Sequence, residues 1–153
     1  MVDFALATLW RQQVVDDKKT LTEDLENKSA RSWWGWILAT YWIALFIATH
    51  LPPRVPILPG AASDKAAHLG AYALLALLMA CYWQTSAGWL VREHFLWIII
   101  ACSAFGVVDE LLQIPVGRFA SVADWVADSS GAVLGVVSFA VVRQLRQSWH
   151  DRQ

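Results

Sequence analysis

The chain has 153 residues, of which 57% are hydrophobic and only 16% charged, with 12 Lys and Arg against 13 Asp and Glu. An ordinary soluble domain is about one-quarter charged, so the chain is poor in charge for a typical water-soluble domain. No basic stripe exists, so no nucleic-acid partner is expected, and the length allows one compact domain.

Residues 1–31 form an N-terminal tail. Its apolar start, Val2 to Trp10, is short and contains Asp3, and it lacks the basic flank of a cleavable signal peptide. The first true span is therefore expected to be its own insertion signal. Phe4, Leu6, Leu9 and Trp10 fit either a short helix on the membrane surface or a plain tail. Asp16 to Lys28 fits a solvated helix or a disordered segment.

The first span runs from Ser32 to His50 and carries no Asp, Glu, Lys or Arg. That is long enough to cross a bilayer, and Trp33, Trp34 and Trp36 stand at its start as interfacial anchors do. The loop from Leu51 to Gly60 holds four prolines, which forbid a continuing helix. A second span follows from Ser63 to about Trp83, with Ser63 as N-cap and Asp64 in the first turn. After a polar connection from Gln84 to His94, a third span covers Phe95 to Ile114 and stops at Pro115. The fourth opens on Ser121 and Asp124, an S-x-x-D start signal, and runs from Val122 to about Val142. Cys81 and Cys102 lie inside apolar runs and read as small buried hydrophobes.

The expected fold is therefore all-α, an integral membrane four-helix bundle over residues 32–142, with a C-terminal tail at 143–153. A soluble bundle is the rival, but four apolar segments of membrane length leave little amphipathic surface for one.

Positive charges set the orientation. Arg11, Lys18, Lys19, Lys28, Arg31, Arg92, Arg143, Arg146 and Arg152 fall on one side, and Arg54, Lys65 and Arg118 on the other. Both termini are therefore expected in the cytoplasm, with the proline loop and the loop between spans three and four outside.

The out-of-place polar residues cluster near those two outer loops. Asp64, His68 and Tyr72 are spaced by four and share one helix face. Asp109, Glu110 and Gln113 lie at the end of the third span. Asp124, Asp128, Gly131 and Gly135 fall near one face of the fourth, and Gly131 to Gly135 is a G-x-x-x-G that permits close helix contact. Carboxylates within a span cost about 2.5–3.5 kcal/mol each at a helix centre and less near an end. They should pair, point inward or reach a wet cavity, which implies a polar pocket lined by spans two, three and four.

Plain structural roles compete at each position. Asp64 and Ser121 can cap helices, Lys65 can snorkel to headgroups, Gly117 reads as a turn residue, and Glu110 with Arg118 can be an ion pair between spans. His50, His94 and His150 look like boundary residues. No H-x-x-x-H or H-E-x-x-H spacing supports a metal, and no nucleotide loop, triad order or haem motif appears. No metal or other cofactor is therefore expected.

Two stretches carry a resemblance. S-D-K-A-A-H-L-G-A-Y, Ser63 to Tyr72, resembles the D-K-x-x-H-x-x-x-Y of the VanZ-like family. Asp109 to Gly135 resembles that family's E-x-x-Q, then G-R, then D-x-x-x-N-x-x-G-x-x-x-G. The resemblance spans about residues 35 to 142 and leaves the N-terminal tail outside. It places Asp64, Lys65, His68, Tyr72, Glu110, Gln113, Arg118 and Asp124 on motif positions, and Asp128 stands where the family usually has Asn. It implies a multi-pass protein of the bacterial cytoplasmic membrane, in a family whose named member is linked to resistance to the glycopeptide teicoplanin. The family name supplies no reaction.

The leading expectation is an envelope protein that binds an anionic lipid or a lipid-linked cell-wall precursor in the outer pocket. Lys65 and Arg118 would meet the phosphate, while Glu110, Gln113, Asp124 and Asp128 orient them. Its partners are then membrane lipids, and the sequence is silent on oligomeric state. The alternative is a membrane-embedded hydrolase or transferase acting on a lipid-linked phosphate, with His68 and Glu110 as the acid–base candidates. His ordinarily titrates near ~6.5. No residue reads as an activated nucleophile, since Ser63 and Ser121 are explained as caps. Ion conduction is disfavoured because the cytoplasmic halves of spans two to four carry no ionisable relay.

Overall fold

The structure is a computed structural model that describes residues 2–50, 61–88, 90–117 and 119–153, with side chains from Gln13 onward in the first segment and from Asp64 onward in the second. It contains four long helices, α1 (Val2–His50), α2 (Ala61–Ala87), α3 (Arg92–Gln113) and α4 (Val122–His150), with a single 3-10 turn at Ile114–Val116. Each of the four contains a stretch long and apolar enough to cross a membrane. The bundle alternates in direction. His50, Asp64, Gln113 and Ser121 meet at one end, here called the polar end, while Tyr82, Leu90 and Arg143 lie at the other.

The helix boundaries follow local chemistry. Helix α3 gives way to the 3-10 turn around Pro115, which lacks an N–H to continue the ladder. Gly117 closes that turn at φ +84° with its N–H on the Ile114 carbonyl, so the expected turn residue sits where a side chain would be strained. Ser121 caps α4 as expected, accepting from the Asp124 N–H. At the start of α3, the His94 ring accepts from the Val91 N–H. Ser63 differs from expectation: α2 is already helical at Ala61, so Ser63 lies within the helix rather than capping it.

Helix α1 also differs. Its 49 residues run unbroken from the tail into the span, about 73 Å at ~1.5 Å per residue, more than twice the ~30 Å hydrocarbon core. No break separates a surface helix from the crossing segment. The polar stretch stays helical because its residues are good helix formers with an i, i+4 pair, Lys19 and Glu23. Helix α4 likewise continues past the expected Val142 to His150, so most of the C-terminal tail is helical.

The core is narrow. Its buried members include Tyr72, Leu75, Ala76, Ala80, Ile98, Cys102, Ala132 and Val136, while Trp36, Ile43, Trp97, Leu111 and Val133 face outward. That inside-out distribution suits a bundle dissolved in acyl chains, where helix contact depends on close packing rather than on expulsion of water. Cys102 is buried and Cys81 half-buried, and both are free thiols.

Packing is closest between α2 and α4, because of the glycine pair. A Cβ on Gly131 would run into the carbonyl oxygen of Leu69, and one on Gly135 into that of Ala73. The G-x-x-x-G therefore lets the two backbones touch. Helix α1 is tied to α2 by the Tyr41 hydroxyl, which donates to the Ala71 carbonyl at 2.9 Å. Helix α4 is tied to α3 by the Trp125 indole N–H on the Ser103 carbonyl at 3.1 Å, and by a Ser103–Ser129 hydroxyl pair at 2.9 Å.

Candidate functional site

His68 precedes Leu69, the residue whose carbonyl abuts Gly131, and Asp128 lies one turn before Gly131 on α4. Backbone contact at the glycine therefore delivers the imidazole to the carboxylate: His68 Nδ1 and Asp128 Oδ1 are hydrogen-bonded at 2.9 Å. Both side chains are buried, Asp128 completely. Glu110 comes from the end of α3, where its Oε2 accepts the Ser121 N–H at 2.6 Å and so fixes the end of α3 to the start of α4. His68, Glu110 and Asp128 each offer an atom within 4.8 Å of the others. Tyr72, one turn deeper than His68, is fully buried beside Phe105.

This cluster is incompletely satisfied. Among the described residues, Asp128 Oδ2, Glu110 Oε1 and the Tyr72 hydroxyl are buried with no hydrogen-bond partner. Buried polar groups are ordinarily paired, and three orphans in one neighbourhood mark a place built for something other than packing.

Nearer the helix ends, Lys65 pairs with Asp124 at 3.4 Å, with the lysine half exposed and the aspartate largely covered. Asp64, His68 and Asp124 form a second group whose polar atoms approach within 4.8 Å, with Asp64 exposed.

A separate network surrounds Asp109, which is fully buried. Its Oδ1 accepts from the Thr49 hydroxyl at 2.8 Å, its Oδ2 accepts from Gln113 Nε2 at 3.1 Å, and His50 Nδ1 stands 3.6 Å away. Gln113 is thus turned to Asp109, not to Lys65 or Glu110. Sequence reasoning left Asp109, Thr49 and His50 off the candidate site. The spacing of four between Asp109 and Gln113 was the available signal; nothing local marks Thr49, whose partner is 60 residues away. Arg118 and the loop at 51–60, with Arg54, lie outside the described residues, and so does the expected Glu110–Arg118 pair.

The structure thus brings together His68, Glu110, Asp128 and Tyr72 from three helices, with Lys65, Asp64 and Asp124 above them. Helical spacing within one element cannot reveal a triplet drawn from three, and for that reason the absence of a metal-like spacing in the sequence carried no information about this cluster.

Against the cluster lies an apolar groove of about 310 Å³ between α3 and α4. Its walls are Val107, Leu111, Ala120, Val122 and Trp125, and its polar groups are Glu110 and Ser121. Glu110 therefore belongs both to the groove and to the buried triplet.

Residues 20–143 match the model of the VanZ/LLP1 family. The chain belongs to the VanZ/LLP1 family. The match takes in the motif positions Asp64, Lys65, His68, Tyr72, Glu110, Gln113, Arg118 and Asp124. It also begins at Thr20, so it reaches into the tail that the resemblance had left outside. No curated protein and no solved structure matches the chain. This VanZ/LLP1 protein is accordingly a multi-pass, all-helical membrane protein.

Proposed function

We propose that this VanZ/LLP1 protein is a hydrolase of lipid-linked phosphate at the outer face of a bacterial cytoplasmic membrane, acting on a cell-envelope intermediate. One observation carries the reading: an apolar groove between α3 and α4 shares Glu110 with a buried imidazole–carboxylate cluster. A prenyl or acyl chain in the groove delivers its phosphate to His68, Glu110 and Asp128. The charge asymmetry, nine basic residues against three, supports placing this end outside. The link of the resembling family to teicoplanin resistance supports a cell-wall precursor as the substrate class.

Catalysis is favoured over binding alone by the His68–Asp128 hydrogen bond. A carboxylate that holds one ring nitrogen fixes the tautomer and aims the other, as in base–orienter pairs. His68 then takes a proton from attacking water, and Glu110 delivers one to the leaving group. Ser121 is occupied as a helix cap, so water serves as nucleophile. Lys65, already held by Asp124, offsets charge near the mouth.

The test uses the full chain in nanodiscs with short-chain polyprenyl phosphate and pyrophosphate, following product by mass spectrometry. Turnover is expected in the wild type and lost in His68→Ala and Glu110→Gln, while Ala120→Trp, which fills the groove, raises KM. Saturable binding without product would reduce the protein to a headgroup-binding role, and neither binding nor product across phosphorylated lipids would sink both.

A further inference from the structure

The buried cluster has a composition that phosphate alone does not explain. Among the described residues, Asp64, Asp109, Glu110, Asp124 and Asp128 stand at the polar end with a single lysine, Lys65, and that lysine is already paired to Asp124. An anion entering this region meets carboxylates. A divalent cation reverses that sign.

We propose that His68, Glu110 and Asp128 form a binding site for one first-row divalent cation. The three side chains come from α2, α3 and α4, they are 8%, 5% and 0% exposed, and each offers an atom within 4.8 Å of the other two. One imidazole with two carboxylates is a donor set that suits zinc- and manganese-like ions. Three protein ligands leave positions for water and for a phosphate oxygen, the arrangement of catalytic rather than structural sites.

The orphaned oxygens are an independent pointer. Asp128 Oδ2 and Glu110 Oε1 are both enclosed and unpartnered among the described residues. Asp109, next to Glu110 in the chain, has both oxygens hydrogen-bonded. Burying carboxylates with unfilled acceptor positions is what a cation site requires. The alternative group of Asp64, His68 and Asp124 is weaker, because Asp64 is exposed and Asp124 already holds Lys65.

With the cation bound, His68 and Glu110 would serve as its ligands in place of the proton-transfer roles given above; the cation's part in activating water and receiving the phosphate rests on the hydrolase reading, whereas its binding does not. The binding measurement therefore omits lipid substrate, and turnover is followed separately in the nanodisc assay above. Full-length protein in detergent is stripped with chelator and titrated with Mn²⁺, with bound metal followed by electron paramagnetic resonance. The expectation is one Mn²⁺ per chain, with ¹⁴N hyperfine coupling from His68 in pulsed spectra. Affinity should fall at least tenfold in Glu110→Gln and Asp128→Asn and change less than twofold in Asp64→Asn. The nitrogen coupling should vanish in His68→Ala. It is read first on the wild type, so it stands even if a variant fails to fold. No saturable Mn²⁺ binding, binding without nitrogen coupling, or an equal loss in Asp64→Asn would each overturn the site. Mn²⁺ bound as described, without turnover of any phosphorylated lipid, removes the hydrolase reading and leaves the cation site. Turnover undiminished in chelator, with no Mn²⁺ bound, removes the cation site alone.

Discussion

Asp109 and Glu110 are adjacent in the chain, both buried, and both end up in polar clusters, yet the clusters are of opposite kinds. Asp109 is saturated: Thr49 from α1 and Gln113 from its own helix donate to its two oxygens, and His50 stands beside it. Among the described residues, Glu110 uses one oxygen on the Ser121 N–H and leaves the other enclosed and without a partner, as Asp128 leaves its Oδ2. In the first cluster both carboxylate oxygens are engaged, although His50 Nε2 has no partner among the described residues, and the cluster joins α1 to α3. The second is open and sits where α2, α3 and α4 meet beside an apolar groove. A carboxylate that has spent its acceptors holds helices together, whereas one with acceptors to spare costs stability and is kept for what it binds.

The harshest way to break the comparison is to push α2 and α4 apart. Gly131→Leu places a side chain against the Leu69 carbonyl. It should cost about 3 kcal/mol or more, above the usual overpacking range, and separate His68 from Asp128. SDS titration in mixed micelles measures the loss, and a variant as stable as the wild type would show that the backbones do not touch there.

The comparison is sharpened next by substitutions that split the clusters. Asp109→Ala removes the acceptor of the Gln113 amide, while the Thr49 hydroxyl keeps the Phe46 carbonyl, and should cost about 1–3 kcal/mol for the donor left unsatisfied. Asp128→Asn should do the reverse, leaving stability unchanged or raised while phosphate release falls about 10²–10⁴-fold, the usual scale for lost acid–base function. Equal destabilisation by both would erase the distinction between a closed and an open cluster.

Smaller effects test the surroundings. Ser121→Ala removes the cap of α4 and should cost about 1 kcal/mol. It keeps the backbone N–H that Glu110 accepts, so turnover should persist. At the far end, Arg143 donates to the Leu90 carbonyl at 2.8 Å. Arg143→Ala should cost about 0.5–1.5 kcal/mol with no change in KM or kcat, since neither cluster lies there.

The sequence by itself determined the elements and their order. Runs of uncharged residues long enough to span a bilayer have few alternatives, because every backbone N–H and C=O in the hydrocarbon must be paired within a helix. Pro115, Gly117 and Ser121 act within a few residues of their own position, so the stops and starts around them were legible. His68, Glu110 and Asp128 were also legible as candidates, since polar residues inside spans stand out. The unbroken extension of α1 was not, because a charged helix and a charged tail look alike in composition until one is seen to continue the other.

Only the tertiary structure decided how the polar residues divide. Gln113 is four residues from Asp109 and three from Glu110, so helical spacing allows either neighbour, and the bundle sends Gln113 to Asp109 and Glu110 toward His68 and Asp128. Thr49 enters only because α1 packs beside α3, and the groove exists only because Val107 and Leu111 face Val122 and Trp125 across two helices. Helical periodicity tells which residues of one helix share a face. Which faces meet depends on contacts such as that of Gly131 with Leu69, made by residues 62 positions apart, and no local pattern encodes them.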